Sequence, residues 1–211
     1  MNELPLFGVG KNGQTFFRWD EPGRHRDDRL FFAILVETSV SAALACRAAD
    51  WRRELGLRGE PFRAERLHIS LIGLGDHDGL PDGVVKIACH IGSMIEAKPF
   101  EVCFNRLSAF GGGALVLRGS DSVPSLQAFW RHLAAVIADS PLKPFVTNSI
   151  EPHVTLLRDK IRVPKVRERV VEPISWTVRD FVLIHSLTRQ SVYKELGRWQ
   201  LNGHDDSSAA M

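Results

Sequence analysis

The sequence predicts an α+β fold of two related lobes, and three observations lead there. Two short segments, Leu67-His68-Ile69-Ser70-Leu71 and Pro152-His153-Val154-Thr155-Leu156, repeat one pattern with their histidines 85 positions apart. Strand-like and helix-like stretches alternate over most of the chain, which taken alone also admits a parallel α/β sheet. The last strand patterns, near 174–187 and 192–201, have no helix between them and can only pair antiparallel. That last feature decides for α+β.

Residues 1–28 are polar and rich in Gly, Arg and Asp, and form either a loose arm or a small added element. Leu30 to Val36 is an unbroken apolar run, as expected of a strand buried on both faces. Thr38 or Ser39 is placed to cap a helix whose apolar stripe is Val40, Leu44, Ala48, Trp51 and Leu55, with Gly56 as the stop. The first His motif makes a strand at about 65–73. Asp82 is placed to cap a second helix with Val84, Ala88, Ile91 and Ile95 on one face, ending before Pro99. Phe100 to Leu107 and Ala114 to Arg118 read as strands on either side of Gly111-Gly112-Gly113. Pro124 suits the first turn of a third helix carrying Leu126, Trp130, Leu133 and Ile137. The second His motif makes a strand at about 152–157, and the tail from Gly203 is small, polar and expected to be disordered.

A chain of 211 residues, 44% hydrophobic and 25% charged, can bury a substantial core. No Pro/Gly/Ser-rich linker divides it, so a single two-lobed unit is expected. The first residues lack the basic start and apolar run of a signal peptide, and no apolar stretch reaches the ~18 residues of a membrane span. Cys46, Cys89 and Cys103 are odd in number and form no C-x-x-C pair, which fits reduced, packed thiols and a cytoplasmic setting. A net charge of +2 gives little long-range attraction for nucleic acid. The distribution is more telling. Arg158, Lys160, Arg162, Lys165, Arg167 and Arg169 face only Asp159 and Glu168 in the run that follows the second motif. The run is either a solvated loop or a basic rim for the phosphates of a strand.

In a strand, residues i and i+2 leave the same face roughly 6.6 Å apart. His68 and Ser70 therefore share one face while Leu67, Ile69 and Leu71 take the other, and His153 and Thr155 repeat this against Val154 and Leu156. A single histidine on a strand is ordinarily structural. Two in matching contexts, each with a hydroxyl at +2, point to chemistry. One imidazole can take a proton while the other gives one, and two hydroxyls can hold a tetrahedral anion. Asp76-His77-Asp78 falls in an apparent loop with no partner spaced to complete a metal site. Tyr193 and Trp199 read as core, and Arg158 as either a surface base or a charge at the cleft mouth. His25, His77, His90, His132, His185 and His204 default to surface or packing roles.

These motifs resemble the paired H-x-T/S-x signatures of the 2H phosphoesterase superfamily. The match is to the branch of the bacterial 2′-5′ RNA ligases and RNA 2′,3′-cyclic phosphodiesterases. Arg29-Leu30-Phe31-Phe32-Ala33-Ile34 is similar to the family's opening strand, and Leu74-Gly75 to the close of its first motif. Pro152 to Asp159 is similar to its second motif, and Ser186, Tyr193, Leu196, Trp199 and Leu201 follow its closing pattern. The resemblance spans about residues 29–201. It implies a bilobed, pseudo-two-fold domain over 29–202, with two antiparallel sheets and flanking helices around a central cleft, an extension at 1–28 and a tail at 203–211.

It also implies roles. His68 is the proton donor, His153 the proton acceptor, and Ser70, Thr155 and Arg158 hold the substrate phosphate, with no metal and no cofactor. The implied substrate is an RNA or nucleotide 2′,3′-cyclic phosphate, opened to a 2′-phosphate, with ligation through a 2′-5′ bond by the same groups. No protein partner or membrane is implied, and a monomer is expected. Ser70 departs from the commoner Thr but keeps the hydroxyl. A 2′,5′-phosphodiesterase, a phosphodiesterase for a cyclic phosphate of ADP-ribose, and a non-catalytic RNA-end-binding protein stay open as alternatives.

Overall fold

The computed structural model describes residues 27–119 and 123–202 throughout, together with the backbone of two short strands, β1 (Phe7–Val9) and β2 (Thr15–Phe17), which pair antiparallel. The expected tail at 203–211 and most of 1–28 lie outside the described residues.

Eight further strands follow: β3 (Asp28–Leu35), β4 (His68–His77), β5 (Phe100–Phe110), β6 (Ala114–Arg118), β7 (His153–Arg158), β8 (Arg169–Val178), β9 (Asp180–Leu187) and β10 (Val192–Gln200). They are ordered β10-β9-β3-β4-β7-β6-β5-β8, and every neighbour is antiparallel. The two expected sheets are the two four-stranded halves of this order. They join through one residue pair, Ile69↔Val154, between the two motif strands. Each half has its motif strand innermost, so the repeated sequence pattern sits at a pseudo-two-fold axis.

Curvature follows from the connections. β8 and β9 lie six places apart in the sheet, which laid flat would be about 29 Å at ~4.8 Å per strand. Only Arg179 joins them. The sheet must therefore bend strongly to bring its second half round to its first.

Three helices, α1 (Thr38–Glu54), α2 (Asp82–Met94) and α3 (Pro124–Ala138), lie on the sheet face opposite the motif side chains. Their buried stripes (Leu44, Ala48 and Trp51; Val84, Ala88 and Ile91; Leu126, Trp130, Leu133 and Ile137) join Phe32, Ile34, Ile69, Phe104, Leu117, Val154 and Phe181 in one continuous core. The Trp130 indole N–H donates to the Leu71 carbonyl at 3.1 Å, tying α3 to the first motif strand. Gly56 ends α1 in a left-handed conformation (φ 62°), as the sequence suggests. The caps differ from expectation. Glu37 and Pro81 occupy the cap positions of α1 and α2 without a side-chain bond to the helix backbone, while Thr38 and Asp82 are already helical.

Three boundaries also move. β4 continues through Asp76 and His77, where a loop was expected, because Asp28 and Arg29 of β3 extend the ladder to them. The 174–187 pattern is two strands broken at Arg179, and β8 begins at Arg169. His77 and His185 are buried packing groups. The His77 Nε2 meets the Leu74 carbonyl at 2.8 Å, and the His185 Nε2 meets Asp28 Oδ1 at 2.5 Å.

Candidate active site

Alternation places Leu67 and Ile69 of the first motif, and Val154 and Leu156 of the second, in the core at no more than 1% exposure. His68, Ser70, His153 and Thr155 leave by the opposite face and line one cleft of about 660 Å³. The antiparallel register at Ile69↔Val154 sets His68 beside Thr155 and Ser70 beside His153. Directly opposed side chains on neighbouring strands start about 5 Å apart, so the four groups form the corners of a small square.

Both imidazoles are held in the same way. Nδ1 of His68 donates to the Arg66 carbonyl at 2.7 Å, and Nδ1 of His153 donates to the Glu151 carbonyl at 2.8 Å. Because a carbonyl only accepts, the proton of the neutral ring resides on Nδ1, and each Nε2 keeps its lone pair for the cleft. In His68 that lone pair accepts from the Ser70 hydroxyl at 3.1 Å. Each ring also leans on an aromatic of its own lobe: His68 on Phe31 with centroids 5.2 Å apart, His153 on Phe110 at 4.8 Å.

The first motif is the more enclosed. Tyr193 closes on His68 edge-on at 5.5 Å. This burial pushes His68 down to about 4, against the Arg66 carbonyl bond that favours its charged form, and the neighbouring His153 and Arg66 further disfavour a positive charge there. With no anion beside it, His68 is neutral at neutral pH.

Arg158 reaches the cleft by a device that strict alternation does not foresee. Thr155 faces Val116 but Leu157 faces Leu115, so Leu156 is an extra residue in β7. Leu156 and Leu157 are both buried, and Arg158 returns to the motif face. Such a bulge re-aims the side chain that follows it. The first motif carries the same device: Ser70 faces Ala33 and Ile72 faces Phe32, Leu71 is extra, and Gly73 arrives where Arg158 stands in the other lobe. The turn behind Arg158 is tight. A Cβ on Gly59 would collide with the Arg158 carbonyl, and one on Gly113 would lie 2.5 Å from Lys160 Cα.

The acids of the basic run are spent locally. Asp159 accepts from the backbone N–H groups of Arg58, Ile161 and Arg162, and Glu168 binds Ser108, Arg118 and Arg106. These bonds, the Ser108 hydroxyl first, hold the Glu168 carboxyl down to about 2. Arg162 binds the Gly56 carbonyl and Arg169 pairs with Glu54, so two of the six bases serve the end of α1.

A family model for the 2′-5′ RNA ligase superfamily matches residues 40–190. The chain belongs to that superfamily. Its fold is the α+β arrangement of the 2H phosphoesterases, and enzymes of this superfamily make or break phosphoester bonds. No curated protein matches the sequence at a significant level. Among solved structures, TT0787 of Thermus thermophilus superposes with a TM-score of 0.67 at 22% identity, covering 83% of this chain and 99% of its own. E. coli LigT complexed with ATP superposes at 0.63 with 23% identity, covering 82% and 98%. The same protein complexed with phosphate gives 0.61 at 22%, covering 84% and 99%. At these identities the likeness is one of fold.

All five residues singled out in the sequence, His68, Ser70, His153, Thr155 and Arg158, line the one cleft. Tyr193 is a correction: its ring forms cleft wall beside His68, whereas Trp199 packs between Phe32 and Phe181 as core. Arg66, Phe62, and the Arg29–Asp76 ion pair (2.6 and 2.9 Å) also line the cleft, and sequence reasoning missed them. The doublets Leu71-Ile72 and Leu156-Leu157, which break alternation, are the signal that could have announced both bulges. Among the described residues no group of three or more His, Cys, Asp or Glu is arranged to hold a metal, and no helix is long and apolar enough to cross a membrane.

Proposed function

We propose that the protein hydrolyses 2′,3′-cyclic phosphate ends of RNA or nucleotides, without a metal, to a 2′-phosphate. The observation that carries this reading is the square of two imidazoles and two hydroxyls, with both Nε2 atoms presented to one cleft. His153 Nε2 takes a proton from water as its oxygen bonds to phosphorus. The bond from phosphorus to O3′ breaks, and His68 gives its proton to O3′. Ser70 and Thr155 donate to the non-bridging oxygens, whose charge grows at five-coordinate phosphorus, and Arg158 supports that charge from the cleft mouth. With a 5′-hydroxyl in place of water, the same groups join two ends through a 2′-5′ bond.

The depressed His68 bears on which imidazole is the acid. A His68 that is neutral before substrate binds suits a base, so its role as donor requires that it gain a proton together with the anionic substrate. The exchanged assignment, with His68 as base, is the second reading that this observation favours.

The test is turnover of a 2′,3′-cyclic mononucleotide and of cyclic-ended RNA in EDTA, with the product identified. Hydrolysis to a 2′-phosphate at an undiminished rate is expected. No turnover of either, or activity that vanishes with chelator and returns with Mg²⁺ or Mn²⁺, overturns the proposal.

A further inference from the structure

The two lobes repeat their histidines but not what surrounds them. Arg66 ends the turn Ala64–Arg66 that leads into β4, and its guanidinium carbon lies 5.0 Å from the Phe62 ring centroid and 4.7 Å from that of Tyr193. Two rings from distant parts of the chain thus clamp one cation in the cleft, a contact that fixes the guanidinium and is favourable in itself. Its Nε is shut off from solvent with no hydrogen-bond partner.

Of the other two arginines that line the cleft, Arg29 is committed to Asp76, and Arg158 is already assigned to the phosphate between the motifs. Arg66 has no carboxylate or carbonyl acceptor among the described residues. A guanidinium held by rings, facing a cleft and lacking an acceptor, is set for a bidentate anion from outside the protein.

Tyr193 touches both the Arg66 guanidinium and the His68 ring, so the guanidinium lies no more than about 10 Å from that ring. Neighbouring phosphates of a nucleic acid strand fall within such a span.

We infer that Arg66, clamped by Phe62 and Tyr193, binds a second phosphate of the substrate, the one on the 5′ side of the nucleotide whose phosphate sits between the histidines. The inference rests on the cyclic-phosphate reading. The second phosphate is either a terminal 5′-phosphate or the diester to the preceding nucleotide. The uncompensated charge of Arg66 opposes protonation of His68, and an anion bound to Arg66 removes that opposition. The second phosphate thereby favours the proton-donating form of the site as well as adding a contact.

The experiment has a binding arm and a turnover arm. By calorimetry, a nucleoside 3′,5′-bisphosphate should bind at least tenfold more tightly than the matching 3′-monophosphate. In Arg66→Gln that ratio should fall toward one, and in Arg66→Lys it should fall part of the way. In turnover, a cyclic nucleotide bearing a 5′-phosphate is compared with a cyclic-ended dinucleotide lacking one. Preference for the first over the plain cyclic nucleotide identifies the terminal phosphate as the source, and preference for the second alone identifies the diester. Equal affinity of the wild-type protein for the mono- and bisphosphate overturns the inference, as does an unchanged ratio in Arg66→Gln. Loss of all turnover with the affinity ratio intact would defeat the hydrolytic reading and leave the subsite standing.

Discussion

His68 should titrate near 4 in the free protein and move above 6.5 when a phosphate anion occupies the cleft. Enclosure by Phe31 and Tyr193, with Arg66 and His153 nearby, brings it down from 6.5 to about 4. That depression corresponds to about 3 kcal/mol against the imidazolium, and at pH 7 only about one molecule in 10³ carries the proton. An anion about 4 Å from the protonated Nε2 is worth ~4 kcal/mol at an effective dielectric of ~20. The anion therefore outweighs the burial cost, and binding draws a proton in. NMR titration of the His68 ring, with and without saturating phosphate or a nucleoside 3′-monophosphate, reads both values. The same coupling appears as proton uptake in calorimetry run in buffers of different ionisation enthalpy. A His68 that titrates near 6.5 without ligand refutes the account of its burial. One that stays near 4 with the anion bound refutes its role as proton donor and leaves it the base.

The remaining predictions concern substitution and packing. His68→Ala and His153→Ala should each cost ~10²–10⁴ in kcat/KM with a normal melting curve, and near-wild-type rates in either would overturn the two-histidine chemistry. Ser70→Ala and Thr155→Ala should be milder, each removing one donor to the phosphate, with ~4 kcal/mol as the upper limit read from kcat/KM. Gly92→Ala should destabilise by about 1–3 kcal/mol, because a Cβ there collides with the Trp199 ring in the core, and a denaturant melt measures it. Stability should also fall as pH drops from 6.5 toward 4, because the unfolded chain accepts the proton that the half-buried His68 refuses, and His68→Ala should flatten that slope.

What the sequence determined by itself was local. Alternation across Leu67 to Ser70 and Pro152 to Thr155 put two imidazoles and two hydroxyls on the polar faces of two strands, because side-chain direction in a strand depends only on parity. The stripes of α1, α2 and α3 were legible for the same reason, their period being fixed by the helix. The late strands betrayed the antiparallel class because nothing lay between them. Tertiary structure decided the rest. The pairing of Ile69 with Val154, which makes two half-sites into one cleft, is a contact between segments with no local signature. The bulges at Leu71 and Leu156 reverse parity; the apolar doublets there hint at them, and the ladder to β3 and β6 fixes the extra residue in each. Tyr193 reads as a core aromatic by its neighbours in sequence, yet the pairing of β10 with β9 carries it to the wall beside His68 and Arg66. The depressed proton affinity of His68 is likewise a property of enclosure, assembled from Phe31, Arg66, His153 and Tyr193, which the fold alone brings together.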